Sequence, residues 1–258
     1  MVVAPVDFPK RLFKYRSGTL EDIANLSNNQ LWFAKVGTFN DPFDCALDVV
    51  CSEPSIETLK RMLEKQTPAL VPKLDNLNDD QAAQIRIAAA GQFKESIEKK
   101  LQGFLGGVCC FSATADCLLM WGHYANGHRG FCLEFNMDRD AKLGLPPMEV
   151  DYPPDNSIPV LDTDRLMSGD LTDKELIRLW LVKSNCWAYE NEWRILNKKG
   201  DVLRSYDPAA LTAIYLGAKM PDDHQQVIKR LVAGTEVKVR KMTLRKGSFK
   251  LIPTDTEI

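Results

Sequence analysis

The apolar residues of this chain arrive in runs of strand length, such as Val108-Cys109-Cys110-Phe111 and Leu31–Ala34. None approaches the roughly 20 residues that a membrane-spanning helix needs. Between these runs lie stretches with helical spacing and recognisable caps, so the pattern switches repeatedly between the two periods. That alternation predicts an α+β domain with a mixed or antiparallel central sheet and flanking helices.

The opening reads strand, helix, strand. Leu12–Arg16 is the first strand, Thr19 caps a helix over about Leu20–Leu26, and Leu31–Ala34 forms the second strand. Residues 55–105 are helical, opened by Ser55 and broken at Pro68 and Pro72, and read as an inserted lobe within one domain spanning 1–258. A strand at Val108–Ser112, a short helix near Cys117–Ala125 and a strand at Gly130–Phe135 follow, with Met148–Tyr152 as a further candidate strand. Thr172-x-x-Glu175 is a capping box that predicts a helix to about Ser184. Strands at Glu192–Leu196 and Ala213–Leu216, a helix from Pro221 to Val232, and a hairpin of Glu236–Leu244 with Phe249–Ile252 complete the chain. Val237 and Val239 share one parity while Met242 and Leu244 have the other, which predicts a bulge near Arg240-Lys241.

The totals bound the function. A net charge of −2 argues against a general nucleic-acid coat and leaves room only for local basic patches. The N-terminal segment lacks a basic region followed by an apolar run, and no membrane segment is present, so the expected location is cytoplasmic. The seven cysteines are odd in number and contain no C-x-x-C, which predicts reduced, mostly buried thiols and no metal motif.

Three clusters offer chemistry. In Trp187–Arg194, a strand would turn Glu190, Glu192 and Arg194 to one face. Carboxylates so placed could hold a ribose and stabilise charge at an anomeric carbon; the plainer reading is a solvent-facing ion-pair ladder. Arg16, ending an aromatic strand beside Tyr15, could clamp a phosphate or lie at the surface. Ser112 and Thr114 could position a ligand or cap the following helix. Elsewhere, Asn40, Asp41 and Asp44 lie in a turn sequence whose Asx chemistry explains them, with a metal pair as the lesser reading. Met120–Gly130 is rich in aromatics. His123 and His128, five apart, do not share a helix face, and with Trp121 and Tyr124 they could wall a pocket. Lys183 stands on an apolar stripe with Leu176, Trp180 and Trp187, either snorkelling or paired in a functional site.

Leu12–Arg16, Leu31–Asp44, Cys110–Ser112, Met120–Phe135, Lys183–Arg194 and Ile214–Gly217 resemble the bacterial domain-of-unknown-function family 2971. That resemblance names no activity. The layout is more distantly similar to the ADP-ribosyltransferase superfamily. Arg16, Phe111-Ser112-Ala113-Thr114 and Glu190-Asn191-Glu192 stand in the order of its Arg–Ser–Glu branch, with Ala113 where Thr is usual. This second resemblance implies that Arg16 holds NAD phosphate or ribose and that Ser112 supports the nicotinamide pocket. It implies that Glu192 stabilises the oxocarbenium and Glu190 activates the acceptor. It also places Tyr15, Phe33, Trp121, His123 and Tyr124 around the NAD, with Asn40, Asp41, Asp44, His128, Lys183 and Arg194 as further pocket residues and no metal. The acceptor is a protein or a nucleic acid, and a defence or toxin role fits such an enzyme. A non-catalytic binding or sensing module is the competing reading, and a metal-dependent nuclease using Asp41, Asp44, Glu190, Glu192 and Lys183 is a third. Lys238, Arg240, Lys241, Arg245 and Lys246 form a basic strip, either protecting a sheet edge or docking a phosphate-bearing partner.

Overall fold

The structure is a computed structural model and describes residues 8–45, 48–50, 53–104, 106–144, 146–162, 177 and 180–254. The expected capping box at Thr172 and Glu175, and most of the helix it would open, lie outside these residues. The chain divides into two compact units, one of residues 1–44, 105–156 and 183–258, the other of 45–104 and 157–182.

The strands in chain order are β1 Arg11–Arg16, β2 Gln30–Phe33, β3 Asp48–Val50, β4 Gly107–Ser112, β5 Phe131–Asn136, β6 Met148–Glu149, β7 Val160–Asp162, β8 Glu192–Asn197, β9 Val202–Ser205, β10 Leu211–Leu216, β11 Lys238–Leu244 and β12 Leu251–Pro253. The described helices include α1 Leu20–Ser27, α2 Ile56–Gln66, α3 Val71–Leu74, α4 Asp79–Phe104, α5 Leu118–His123 and α6 Asp222–Leu231.

The first unit is built on an eight-stranded sheet of order β12-β11-β10-β5-β1-β4-β8-β6. Its pairings are antiparallel except β10 with β11, which α6 joins as a crossover. Strand alternation separates two apolar layers. On one face, Leu12, Phe111, Leu133, Phe135, Trp193 and Ile195 pack with Leu26 of α1 and Ile228 of α6. On the other, Phe13, Tyr15, Cys132 and Tyr215 pack with Met120 and Trp121 of α5. Both faces are covered, so a change of parity along a strand selects a different layer. That is why β11 needs no bulge: Val239 enters the first layer, Met242 the second, and the pairing runs without a shift. The irregularity falls instead between Leu211 and Ala213 of β10. β2 does not join the central sheet but pairs with β9.

The second unit carries α2, α3 and α4 with the parallel pair β3 and β7, which the strand patterns did not reveal. Ser55 caps α2 as expected. The described cysteines are free thiols: Cys45, Cys109 and Cys132 are buried, Cys110 and Cys117 half-buried and Cys186 exposed. No described helix is long and apolar enough to cross a membrane.

Thr19 closes a capping box with Asp22 at the start of α1. Asp22 accepts from Ser17 and from the amides of Gly18 and Thr19, so the cap fixes the turn out of β1 as well as the helix. Thr19→Ala is expected to cost about 1 kcal/mol, read as a fall of about 2–4 °C in thermal midpoint.

Candidate functional site

On the α5 face of the sheet, β4 and β8 place Ser112 opposite Glu192 and Cys110 opposite Arg194, while β1 brings Phe13 opposite Ser112. Trp193 and Ile195 point into the first layer, so Glu192 and Arg194 must point to the other face. Before β8 the chain runs through a 3-10 turn, Asn185–Glu190, closed by Asn191 in the left-handed region at φ 43°. Asn is among the residues that tolerate this conformation. The reversal carries Glu190 to the same place as Glu192.

The result is a buried ionic cluster. Arg194 Nε donates to Glu192 Oε1 at 2.8 Å, and its Nη2 donates to Glu192 Oε2 at 3.0 Å and to Asp44 Oδ1 at 2.6 Å. Lys183 Nζ lies 2.6 Å from Glu190 Oε2, 3.2 Å from Glu192 Oε2 and 3.3 Å from Asp44 Oδ2. Relative exposure is 0% for Arg194, 3% for Glu190 and Glu192, 5% for Lys183 and 8% for Asp44. A solvent-facing ladder is therefore excluded: charges withdrawn this far from water survive only by mutual neutralisation and hydrogen bonding. Among the described residues, two cations face three carboxylates.

Ser112 Oγ donates to the Glu190 carbonyl at 2.6 Å, tying β4 to the turn. Tyr124 donates to Glu190 Oε1 at 2.6 Å, and Asn40 Nδ2 approaches the same hydroxyl at 3.4 Å. The Glu192 amide donates to the Tyr152 hydroxyl at 3.0 Å.

The two glutamates have opposite protonation tendencies. Burial raises the Glu190 carboxyl above its ordinary value, and the Lys183 ammonium and Tyr124 only partly offset this. Burial pushes Glu192 the same way, but the Arg194 guanidinium and Lys183 outweigh it and hold the group at about 2. Burial likewise raises the Tyr124 hydroxyl, aided by the Glu190 carboxylate. Paired carboxylates with divergent environments are the usual arrangement for dividing acid/base and electrostatic roles.

The cluster forms one wall of a cleft of about 190 Å³. Phe13, Tyr15, Phe39, Ser112 and Tyr124 also line it. The structure thus brings together Tyr15, Asn40, Asp44, Ser112, Tyr124, Lys183, Glu190 and Glu192, with Arg194 behind them.

Other expected site residues lie elsewhere. The Arg16 guanidinium is held by Asp22 and does not line the cleft. It is three residues along β1 from Phe13, or about 10 Å at strand rise. Phe33 is a core residue at 1% exposure, and Trp121 is fully buried with its indole donating to Ala115. His128 stacks on Trp121, and His123 lies exposed beside Tyr124 and Tyr189. Asp41 accepts from the Phe43 amide, the Asx turn expected of this segment. Lys183 lies not on a helix but in the segment before the 3-10 turn, its amide bonded to Asp151.

Lys14 was missed. It lines the cleft, donates to the Cys110 carbonyl at 2.7 Å and sits over the Phe111 ring. Only strand register shows that residues 13–15 flank Ser112. Phe39 was also missed; its ring covers the Arg194 guanidinium at 5.8 Å.

The basic strip does not form one surface. Lys238 and Arg240 share one side of β11, Lys241 has the other parity, and Arg245 and Lys246 lie in the loop to β12.

Residues 120–195 match the model of a family described as a protein of unknown function (DUF2971). That stretch carries Tyr124, Lys183, Glu190, Glu192 and Arg194, and so supports the resemblance over the half of the site that α5 and β8 supply. Searches of curated proteins and of solved structures found no match.

Proposed function

We propose that the cleft catalyses glycosyl transfer of the ADP-ribosyltransferase type, moving ADP-ribose from NAD to a protein or nucleic-acid acceptor. The observation that carries this reading is the divergent pair Glu190 and Glu192 on the wall of one aromatic cleft. An anionic Glu192 suits stabilisation of positive charge at the ribose C1′ as its bond to nicotinamide breaks, the bonding electrons leaving with nicotinamide. Glu190 suits the proton acceptor for the incoming nucleophile as the new bond to C1′ forms.

The fit to NAD is partial. A cleft of about 190 Å³ takes one ring-sized group, below the roughly 300–1,000 Å³ of sites that enclose larger ligands. Its aromatic walls and the Ser112 hydroxyl suit the nicotinamide end. Arg16, held by Asp22, is not the cation for a phosphate there.

The test is nicotinamide release from NAD with and without cell lysate as acceptor source. Glu192→Gln is expected to lower release by about 10²–10³-fold. Glu190→Gln is expected to reduce transfer to acceptor by about 10²–10⁴-fold and release by less. Wild-type release no greater than that of folded Glu192→Gln would sink the reading.

A binding or sensing module has its own supporting observation: both Glu192 oxygens are already engaged by Arg194 and Lys183. In that case NAD or its fragments raise the thermal midpoint of the protein without turnover.

A further inference from the structure

A second cavity, of about 850 Å³, opens at the end of the sheet where β1, β10 and β11 begin. It shares no lining residue with the Glu190–Glu192 cleft. Four cations line it, Arg11, Arg139, Lys238 and Arg240, against two carboxylates, Glu134 and Glu236. Glu134 is 7% exposed and already satisfied, accepting from Tyr215 at 2.6 Å and from Thr212 at 2.9 Å. Arg11, Arg139 and Arg240 make no ion pair among the described residues, and Arg240 Nε is buried without a hydrogen-bond partner. A buried guanidinium N–H left unpaired is costly and rare. Leu26, Leu231 and Val237 also line it.

We propose that this cavity binds a phosphate-bearing small molecule of nucleotide size, its anionic end on Arg11 and Arg240. Guanidinium groups hold phosphate through charge-assisted, often bidentate hydrogen bonds. The volume falls within the range of small-molecule sites. A concave site fits a compact anion better than a nucleic-acid strand, and a chain of net charge −2 lacks the wider basic surface such a strand needs.

Calorimetric titration of the whole chain with ADP, and separately with adenosine, tests the assignment. One saturable ADP event is expected, weakened about tenfold or more in Arg11→Gln/Arg240→Gln, because each lost charged hydrogen bond contributes on that scale. Adenosine is expected to bind at least about tenfold more weakly, since it lacks the phosphates. Lys14→Gln, in the cleft, is expected to leave this event intact. The exposed pair Arg11→Gln/Arg139→Gln provides a second variant should the Arg240 change unfold the protein, as thermal unfolding would reveal. Absence of a saturable ADP event overturns the proposal, as does equal binding of adenosine. An ADP event that survives both arginine variants but disappears in Lys14→Gln belongs to the cleft and also overturns it.

Discussion

Replacing Arg194 with methionine is expected to destabilise the protein by about 3–5 kcal/mol, the usual cost of stripping one partner from a buried ion network. At this chain length that corresponds to a fall of about 10 °C or more in thermal midpoint. The guanidinium is fully buried, and among the described residues it donates twice to Glu192 and once to Asp44. Without it, Lys183 is the remaining cation on the three carboxylates among the described residues. Glu192→Gln acts in the other direction on charge, leaving two cations with two carboxylates among the described residues, and is therefore the milder change. The double variant Arg194→Met/Glu192→Gln should recover about 0.5–3 kcal/mol relative to additivity, the range found for residues in direct contact. Chemical denaturation of the four proteins measures this. Additive losses would show that the two side chains do not act as one unit.

Acid should weaken the fold through Glu192 in a defined window. Its carboxyl sits at about 2 in the folded protein against an ordinary value of 4.5. A depressed carboxyl contributes stability that is fully present above the unfolded value and is lost as pH falls through the folded one. The window therefore runs from about 4.5 down to about 2, and the loss is on the order of 3 kcal/mol at 1.36 kcal/mol per pH unit. Glu190 behaves oppositely because burial raises it. Its stabilising contribution belongs to the protonated form, and is lost as pH rises from 4.5 through its folded value. Stability should then rise slightly on acidification toward about 4.5 and fall below it. Asp22, lowered by Arg16 and its capping bonds against the opposing effect of burial, adds to the acid loss. Urea unfolding across this range, with Glu192→Gln as reference, isolates the Glu192 share. Parallel curves for the two proteins would refute it.

The pair Glu190 and Glu192 was visible in the sequence because Glu-x-Glu-x-Arg is an unusual charge pattern for a strand. Its burial was not visible. Alternation says that side chains share a face, and only the covering of that face says whether water reaches them. Asp44 lies 150 positions from Arg194, in a turn whose Asx chemistry already explained its residues. The sequence offered it as a pocket candidate beside Glu190, Glu192 and Lys183, but nothing local showed that it would pair with Arg194. Lys183 was noticed for standing on an apolar stripe, but the helix inferred around it was the wrong support. The cation is buried because three carboxylates converge on it, not because a helix carries it inward.

Arg16 shows the reverse limit. An arginine at the end of an aromatic strand is available to a phosphate only if no acid is nearer, and here Asp22, six residues on, takes it. The parity change in β11 has a similar origin. Parity alone implies a bulge only for a sheet with one core, whereas this sheet has an apolar layer on each face.

By itself the sequence determined several elements of the first unit: the short runs that make β1, β4, β5 and β8, the Thr19 cap of α1, and the absence from the described helices of any long apolar span. These follow from local sterics, capping and period, which act over a few residues. The tertiary structure alone decided strand order, the register that sets Ser112 against Glu192, and the gathering of Asp44, Lys183, Glu190, Glu192 and Arg194 into one buried cluster. Those outcomes depend on which faces are covered and which charges meet, and burial strengthens each meeting by removing the water that would screen it.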